Sequence, residues 1–428
     1  MSENKTHSRA FLASRAILAG LLLLNTVACQ KIPQEKSGFV PKAHTTPTLP
    51  VVDETRPAAA KTTETLFATL TENFEFEIAQ ASNGYILIEP LLEEPWPEDF
   101  GGQLFEFDLD GPENKAVFDK NLLPIIKRAT SQEYFVSETQ LRAGRLPVNY
   151  RGLRFLMQLT ATRARQIWEE GDKERALGLV ALPLSLFQKM GQKPETASAN
   201  LFAASYAEMS VSLLRKWGQE LSLDPETRRR MTSLLAVYSP SFERLKGTVS
   251  VDFAQLTNSL KSEESRESLG VGNPETETLQ LWHRELLNLH GEALKLYEHK
   301  AVPDIEIFND KVREADVLIQ GLVIDYPRVS AVQKHFFAKY KAAEIGLALL
   351  GPRAGEYKNF SSSELYRELF PNQGPTIEAL ESLLRLDVQS RSIRVLGAEG
   401  HFELLAPGTE PVLFESYFDL DQAGNEHN

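Results

Sequence analysis

The chain has 428 residues, of which 42% are hydrophobic and 25% are charged, the proportions of an ordinary globular protein. Its 46 basic and 59 acidic residues give a formal net charge of −13 at pH 7. Binding to phosphates requires concentrated lysine and arginine, so this balance argues against nucleic acid and against anionic lipid as partners.

The first segment has the pattern of a secretory signal. Lys5, Arg9 and Arg15 form a basic start, and an apolar run over residues 16–24 follows, with a small residue, Ala28, just beyond it. The run is shorter than the roughly 20 residues that a helix needs to cross a bilayer. The pattern predicts a signal peptide over residues 1–28 and no transmembrane helix in the mature chain.

The end of this segment resembles the signals of bacterial lipoproteins, in which a lipid-modified cysteine follows the cleavage site. Val27, Ala28 and Cys29 match the motif, whereas Thr26 stands where the family usually has leucine. The resemblance implies that Cys29, the only cysteine, carries acyl chains such as palmitate. Because Gln30 is not aspartate, it also implies an outer-membrane lipoprotein that faces the periplasm. Ordinary cleavage after Ala28, which would give a secreted or periplasmic soluble protein, remains the alternative.

Residues 29–65 are predicted to form the lipidated cysteine and a disordered tether. The stretch 30–65 holds five prolines and seven threonines and has no apolar period. Such a segment buries too little apolar surface to offset the entropy of ordering. It would hold a lipidated body away from the membrane.

A helical domain is predicted over residues 66–350. Apolar spacing indicates a helix at 114–129, kinked or restarted at Pro124. It also indicates two amphipathic helices within 150–192 that are joined at 169–174. This pair resembles the helix–turn–helix of a tetratricopeptide repeat. The residues that carry the resemblance are Ala164, Trp168, Gly171, Asp172, Ala176 and Leu177.

A short motif recurs before apolar helical runs, at 193–196, 224–227 and 273–276. Asp224 and Asn273 are predicted helix N-caps, each followed by a proline at the first helical position. The motif spacing is irregular, so it predicts a chain that is repetitive in construction without a regular repeat.

The second half is predicted to end in a small α+β region over residues 351–428. Residues 239–272 lose their apolar stripe after Leu260 and are predicted to be an exposed insertion. A short helix is expected at 377–386, followed by two strands about a turn at 397–400. Residues 120–410 resemble a loosely defined group of exported bacterial helical proteins of unknown function, and that resemblance implies architecture alone.

His283 and His290 are the first candidates for a metal site. They lie seven residues apart on one predicted helix, so about 10.5 Å apart along its axis. Zinc needs nitrogen ligands at roughly 2.0–2.1 Å, so the two cannot bind one ion together. We expect surface or half-buried histidines and no metal or other cofactor.

Five acidic or basic residues at the predicted helical turn are the second candidates, because paired carboxylates can hydrolyse glycosides. They are Glu169, Glu170, Asp172, Lys173 and Glu174. Acids at a turn more often solvate it or favour the start of the next helix, and that is our expectation. The sequence contains no H-E-x-x-H, G-x-S-x-G or glycine-rich phosphate loop.

Three consecutive arginines and three tryptophans are the remaining candidates for a functional site. Arg228, Arg229 and Arg230 point in three directions around a helix, so salt bridges or a solvated surface are expected. The three tryptophans lie in apolar stripes and are expected in the core, not as sugar-binding platforms. They are Trp168, Trp217 and Trp282.

The sequence favours a lipid-anchored envelope protein that acts as a helical interaction scaffold, with the membrane and an envelope protein as partners. The main alternative is an envelope hydrolase acting on peptidoglycan or another periplasmic substrate, with acids that only the fold brings together. A third reading is a binder of a small ligand between helices. No catalytic residue is predicted, and the oligomeric state does not follow from the sequence.

Overall fold

The structure is a computed structural model that describes most of the chain from residue 83 onward. The described residues are 83–92, 107–133, 135, 149–190, 196–220, 222–261, 263–298, 305–351, 353, 355–357, 359–387, 392–396 and 414–419. The predicted signal peptide, Cys29 and the tether lie outside these residues.

Helices dominate the described residues, and three strands follow them. The first helices are α1 (Gly84–Ile88), α2 (Pro112–Val117), α3 (Leu123–Ser131), α4 (Tyr150–Glu169), α5 (Lys173–Met190), α6 (Ala197–Gly218), α7 (Pro225–Val237) and α8 (Phe242–Lys261). The later ones are α9 (Glu263–Ser268), α10 (Thr276–Lys295), α11 (Ile305–Glu314), α12 (Val317–Leu322), α13 (Tyr326–Leu349), α14 (Ser362–Leu369) and α15 (Gly374–Leu383). The strands are β1 (Leu384–Asp387), β2 (Ser392–Leu396) and β3 (Phe414–Asp419).

The helix–turn–helix predicted within 150–192 is confirmed as α4 and α5. Gly171 makes the turn with a φ of 90°, a conformation that glycine adopts without the strain other residues suffer. Asp172 then caps α5, its carboxylate accepting from the Arg175 backbone N–H at 3.0 Å. Ala164 and Ala176 are both fully buried, so their small side chains allow the two helices to lie close together.

The irregularity predicted near Pro124 is also confirmed. A π-helical turn at Phe118–Leu122 joins α2 to α3, and Pro124 lies in the first turn of α3. Asp119, within that wide turn, accepts a bidentate pair of bonds from Arg163 of α4, at 3.0 Å from Nε and 2.7 Å from Nη2. It also accepts from Arg175 of α5 at 2.9 Å, so one carboxylate joins three helical segments.

The central element of the described residues is α13. It packs against α6, α7, α15 and the sheet, and nearly all of its side chains are buried. The buried set includes the polar residues Gln333, Lys334 and Lys341. A helix surrounded in this way has no single apolar stripe, and its polar residues need partners inside the protein.

Two local predictions are corrected. Residues 242–261 are not part of an exposed insertion, because α8 buries Phe242, Val249 and Phe253 in the core. Asn273 does not cap a helix: α10 begins at Thr276, and the Asn273 amide instead accepts from Arg266 at 3.1 Å and donates to Glu263 at 2.7 Å.

The C-terminal sheet is antiparallel, in the order β1-β2-β3, with Leu384 opposite Val395 and Ile393 opposite Phe418. The helix expected at 377–386 ends at Leu383, and its last predicted turn belongs to β1. The predicted turn at 397–400 and the strand after it lie outside the described residues.

The fold class is confirmed: the described chain is mainly α-helical with a small sheet near its C-terminal end. No helix in the described ranges is long and apolar enough to cross a membrane. The domain boundaries at residues 66 and 351 remain predictions.

Candidate functional site

One group of polar side chains in the described core joins the end of α7 to α13. The Ser239 hydroxyl donates to the Glu344 carboxylate at 2.7 Å and accepts from the Lys341 ammonium at 2.5 Å. Lys341 also lies 3.4 Å from Glu344, one turn along α13. Ser239 lies in the short connection between α7 and α8, so this cluster holds three helices together.

Burial controls the electrostatics of this cluster. The Lys341 side chain is fully buried, and burial lowers its pKa while the charge of Glu344 acts in the opposite direction. The ammonium lies 4.1 Å from the centre of the Phe370 ring, a cation–π contact in a desolvated place. Nearby, Tyr340 donates its hydroxyl to the Leu235 carbonyl at 2.9 Å, which adds a second bond between α7 and α13.

A serine between a lysine and a glutamate resembles the arrangement of a nucleophile beside a base. Here, however, the Lys341 ammonium is paired with Glu344 and donates to the Ser239 oxygen. The Ser239 hydroxyl donates to Glu344 and not to Lys341, so the geometry favours a structural ion pair over a serine activated by the lysine.

A second polar group lies where α6 and α13 begin. The Asp252 carboxyl of α8 accepts from the Tyr326 hydroxyl at 2.8 Å and from the Ala197 backbone N–H at 3.2 Å. Burial raises the pKa of Asp252 to about 7, although both hydrogen bonds act to lower it. This carboxyl therefore changes charge near neutral pH.

A chain of amide and hydroxyl groups continues from this point. The Tyr297 hydroxyl donates to the Gln333 side chain, which in turn donates to Asn200 at 3.1 Å. All three side chains are buried. Because an unsatisfied buried amide costs about 1–3 kcal/mol, these bonds specify how α13 packs against the first turn of α6.

The two candidate histidines lie on α10, as predicted. His290 is half-buried, its Nε2 lies 3.0 Å from the Ser250 hydroxyl, and its ring lies 5.3 Å from that of Phe253. Burial lowers the pKa of His290 to about 4. The described residues contain no group of three or more potential metal ligands.

The acidic residues around the turn after α4 bind separate partners. Glu170 pairs with Arg163 at 3.1 Å, and Glu169 lies 3.8 Å from Arg165. Glu174 pairs with Arg230 of α7 at 3.1 Å. The structure does not direct these carboxylates into a common site, so they stabilise helix ends and contacts between helices.

The three arginines of α7 point in different directions, as predicted. Arg228 donates to the carbonyls of Gly218 and Glu220, at 3.2 and 2.8 Å, and so caps the end of α6. Arg229 and Arg230 both pair with Glu226, at 2.8 and 3.3 Å. The expectation of salt bridges is confirmed.

The three tryptophans are buried, which confirms their place in the core. Trp168 and Trp217 stack on each other, with ring centroids 5.0 Å apart and planes 13° apart. The Trp168 indole N–H donates to Glu220 at 3.2 Å. Because both residues are buried, neither ring presents a free face of the kind that binds sugars.

One open groove of about 400 Å³ lies between α10 and α11. It is lined by Leu287, Asn288, Gly291, Glu292, Lys295 and Lys311. Its charged lining differs from the closed apolar cavity expected for a small ligand held between helices.

Sequence reasoning missed the groups around Ser239 and Asp252. One signal was present: Lys341 and Glu344 lie three residues apart in a helix that is otherwise apolar along that stretch. The predicted lipidation site, Cys29, lies outside the described residues.

Comparison with known proteins finds no match to this chain among protein-family models, curated proteins or solved structures.

Proposed function

We propose that this chain is a lipid-anchored protein of the bacterial cell envelope that acts as a helical interaction scaffold. The observation that carries the proposal is the N-terminal sequence, in which a basic start and a short apolar run lead to Val27-Ala28-Cys29. Acyl chains on Cys29 would each contribute about 0.8 kcal/mol per buried methylene to membrane binding.

The described helices support the scaffold part of the proposal. The residues that the sequence singled out serve contacts between helices: Arg228 caps α6, Arg230 joins α7 to the first turn of α5, and Trp168 stacks on Trp217. Such a body keeps the positions of its outer helix faces fixed, which suits the presentation of a surface to another protein.

The first experiment compares the full chain with a Cys29→Ser variant, expressed in a bacterium that processes lipoproteins. The proposal predicts an intact mass that includes lipid on Cys29 and a chain that fractionates with the outer membrane. The variant should lack both properties. A native chain that begins at Cys29 without lipid and stays soluble would contradict the anchor.

The scaffold part needs a second measurement, which is crosslinking in cells. A specific envelope protein should be captured by the anchored chain and captured much less by the Cys29→Ser variant. If both forms remain without a reproducible envelope partner, the scaffold role is wrong even where the anchor is right.

The envelope hydrolase remains a second candidate because Ser239 contacts both Lys341 and Glu344. It predicts that a fluorophosphonate probe labels Ser239 and that Ser239→Ala abolishes the labelling. The ion pair described above predicts no labelling of the folded protein, so this experiment decides between the two candidates at that site.

A further inference from the structure

Two half-buried titratable groups, Asp252 and His290, are linked through one aromatic ring of α8. The Phe253 ring stacks on Tyr326 of α13, with centroids 5.5 Å apart and planes 18° apart. On α10, the His290 ring lies 5.3 Å from the same phenylalanine. Because Tyr326 also donates to Asp252, the carboxyl and the imidazole belong to the same layer of packing between α8, α10 and α13.

The hydrogen-bond partners of both groups are neutral. Asp252 accepts from the Tyr326 hydroxyl and the Ala197 N–H, and His290 pairs with the Ser250 hydroxyl. Within the described ranges, neither group takes part in an ion pair. Ionisation of either group therefore places a charge in the protein without a described counter-charge.

Several other titratable groups of the surrounding elements have partners of their own. Tyr297, after α10, donates to Gln333, and Lys334 of α13 donates to the Glu298 carbonyl at 3.3 Å. The first titratable side chain of α6 is Tyr206, bonded to the Tyr150 carbonyl. The remaining elements that pack against α8 or Tyr326 are α9, α11 and α15. Their charged residues include Glu263, Arg266 and Glu267 of α9, Glu306, Asp310, Lys311, Arg313 and Glu314 of α11, and Glu378 and Glu381 of α15.

The two groups respond to pH in opposite directions. Burial raises the pKa of Asp252 to about 7, against about 3.9 in an unfolded chain, so its contribution to stability is lost as pH rises from about 4 to 7. Burial lowers the pKa of His290 to about 4, against about 6.5 when unfolded, so its contribution is lost as pH falls from about 6.5 to 4.

We propose that Asp252 and His290 form a compensating pair, which keeps the packing of α8 against α10 and α13 insensitive to pH across the mildly acidic range. On unfolding at such a pH, the Asp252 carboxyl releases a proton and the His290 imidazole takes one up. The net proton exchange of these two groups is close to zero, so together they do not shift the unfolding equilibrium with pH. Either group alone would make the unfolding equilibrium depend on pH.

The test uses the purified full chain in four forms: wild type, Asp252→Asn, His290→Gln and the double variant. Asparagine and glutamine keep much of the size and hydrogen bonding of the native side chains and do not titrate. The unfolding constant is measured by urea denaturation between pH 4.5 and 6.5, and hydrogen exchange of residues 242–261 is followed in parallel.

The double variant supplies the background pH profile of all other groups. Relative to it, the unfolding constant of Asp252→Asn should fall about tenfold per pH unit as pH rises, since only His290 then responds. The unfolding constant of His290→Gln should rise about tenfold per pH unit as pH rises, since only Asp252 then responds. The wild type should follow the double variant. If both single variants show the same pH dependence of the unfolding constant as the double variant, Asp252 and His290 do not form a compensating pair.

A measurement on the wild type keeps the proposal testable if a variant does not fold. The chain has eight histidines, and their ring resonances can be followed by NMR as pH is lowered. One histidine should remain unprotonated well below pH 6 and titrate near pH 4. If every histidine titrates near the ordinary value of about 6.5, the proposal fails.

Discussion

The Lys341 ammonium lies 3.4 Å from the Glu344 carboxylate inside the protein, where the lysine side chain is fully buried and the glutamate side chain is 9% exposed. Removing one member of a buried pair leaves the other charge without compensation. We expect Lys341→Ala to lower the free energy of unfolding by about 3–5 kcal/mol, measured by urea denaturation at pH 7.

The matched control is an ion pair on the surface. Arg313 and Asp310 are 2.7 Å apart, but their side chains are 74% and 60% exposed, so Arg313→Ala should cost less than about 1 kcal/mol. The double variant Lys341→Met with Glu344→Gln should lose less stability than Lys341→Ala, because it leaves no unpaired charge. If Lys341→Ala and Arg313→Ala lower the free energy of unfolding equally, burial does not make the Lys341–Glu344 pair more important than the exposed one.

The stack of Trp168 on Trp217 joins the C-terminal ends of α4 and α6. Trp217 is fully buried, so Trp217→Ala should lower the free energy of unfolding by about 3–5 kcal/mol through lost contacts and the cavity left behind. Trp217→Phe keeps an aromatic ring and should cost less. Val317→Ala, at a residue that is 72% exposed, should stay within about 0.5 kcal/mol of wild type. A similar cost for Trp217→Ala and Val317→Ala would argue against this stack.

The helix caps give a third prediction, because two similar sequence motifs have different structures. The Asp224 carboxylate accepts from the Thr227 N–H at 2.8 Å and caps α7. Asp224→Ala should therefore lower the free energy of unfolding by about 1 kcal/mol, and Asp224→Asn by much less, since asparagine also caps well. Thermal unfolding of the three forms checks this order, and it would be contradicted if asparagine were as costly as alanine.

These two motifs show what local sequence can and cannot predict. Asp224-Pro225 and Asn273-Pro274 satisfy the same capping rule, but only the first begins a helix, because Arg266 and Glu263 hold the Asn273 amide. The partners of Asn273 come from α9, a short helix without a clear apolar period. Patterns that depend on neighbouring residues, such as the turn at Gly171, were predicted correctly.

The polar core shows the same limit over longer separations. Ser239 and Glu344 are 105 residues apart, and Asp252 and Tyr326 are 74 apart. No periodicity within one helix reports which distant side chain will satisfy a buried polar group. The amphipathic helices α4 and α5 could therefore be predicted from sequence, whereas the groups around Ser239 and Asp252 could not.

Two glycines give a fourth prediction, with opposite signs. Gly171 has a φ of 90° in the turn between α4 and α5, so Gly171→Ala should destabilise the protein by about 1 kcal/mol or more. Gly247 lies inside α8, and a Cβ atom there would meet nothing within 4 Å. Gly247→Ala should therefore raise the free energy of unfolding by about 0.5–1 kcal/mol. The denaturant midpoints of both variants test this prediction. Midpoints that shift in the same direction would contradict it.

The last prediction concerns Lys334, which is 1% exposed and donates to the Glu298 carbonyl. Burial lowers its pKa to about 8, although the charge of Glu298 acts in the opposite direction. In an unfolded chain the pKa of lysine is about 10.4. Between these two values the unfolded chain holds a proton that the folded chain has released, so Lys334 should make the free energy of unfolding rise with pH, by about 1.4 kcal/mol per unit.

Lys334→Met removes this proton and should make the protein less dependent on pH between 8 and 10. It should also stabilise the protein at pH 7, where the wild type keeps a charge in the core. Urea denaturation at pH 7, 8, 9 and 10 measures both effects. Burial also lowers the pKa of Lys189 to about 8, so part of the rise should persist in the variant. The control is Lys311→Met, at an exposed lysine paired with Glu314, which should leave the rise unchanged. If Lys334→Met has the same slope as wild type and Lys311→Met, Lys334 keeps its proton in the folded state, and the charge is stabilised in the core by its hydrogen bond.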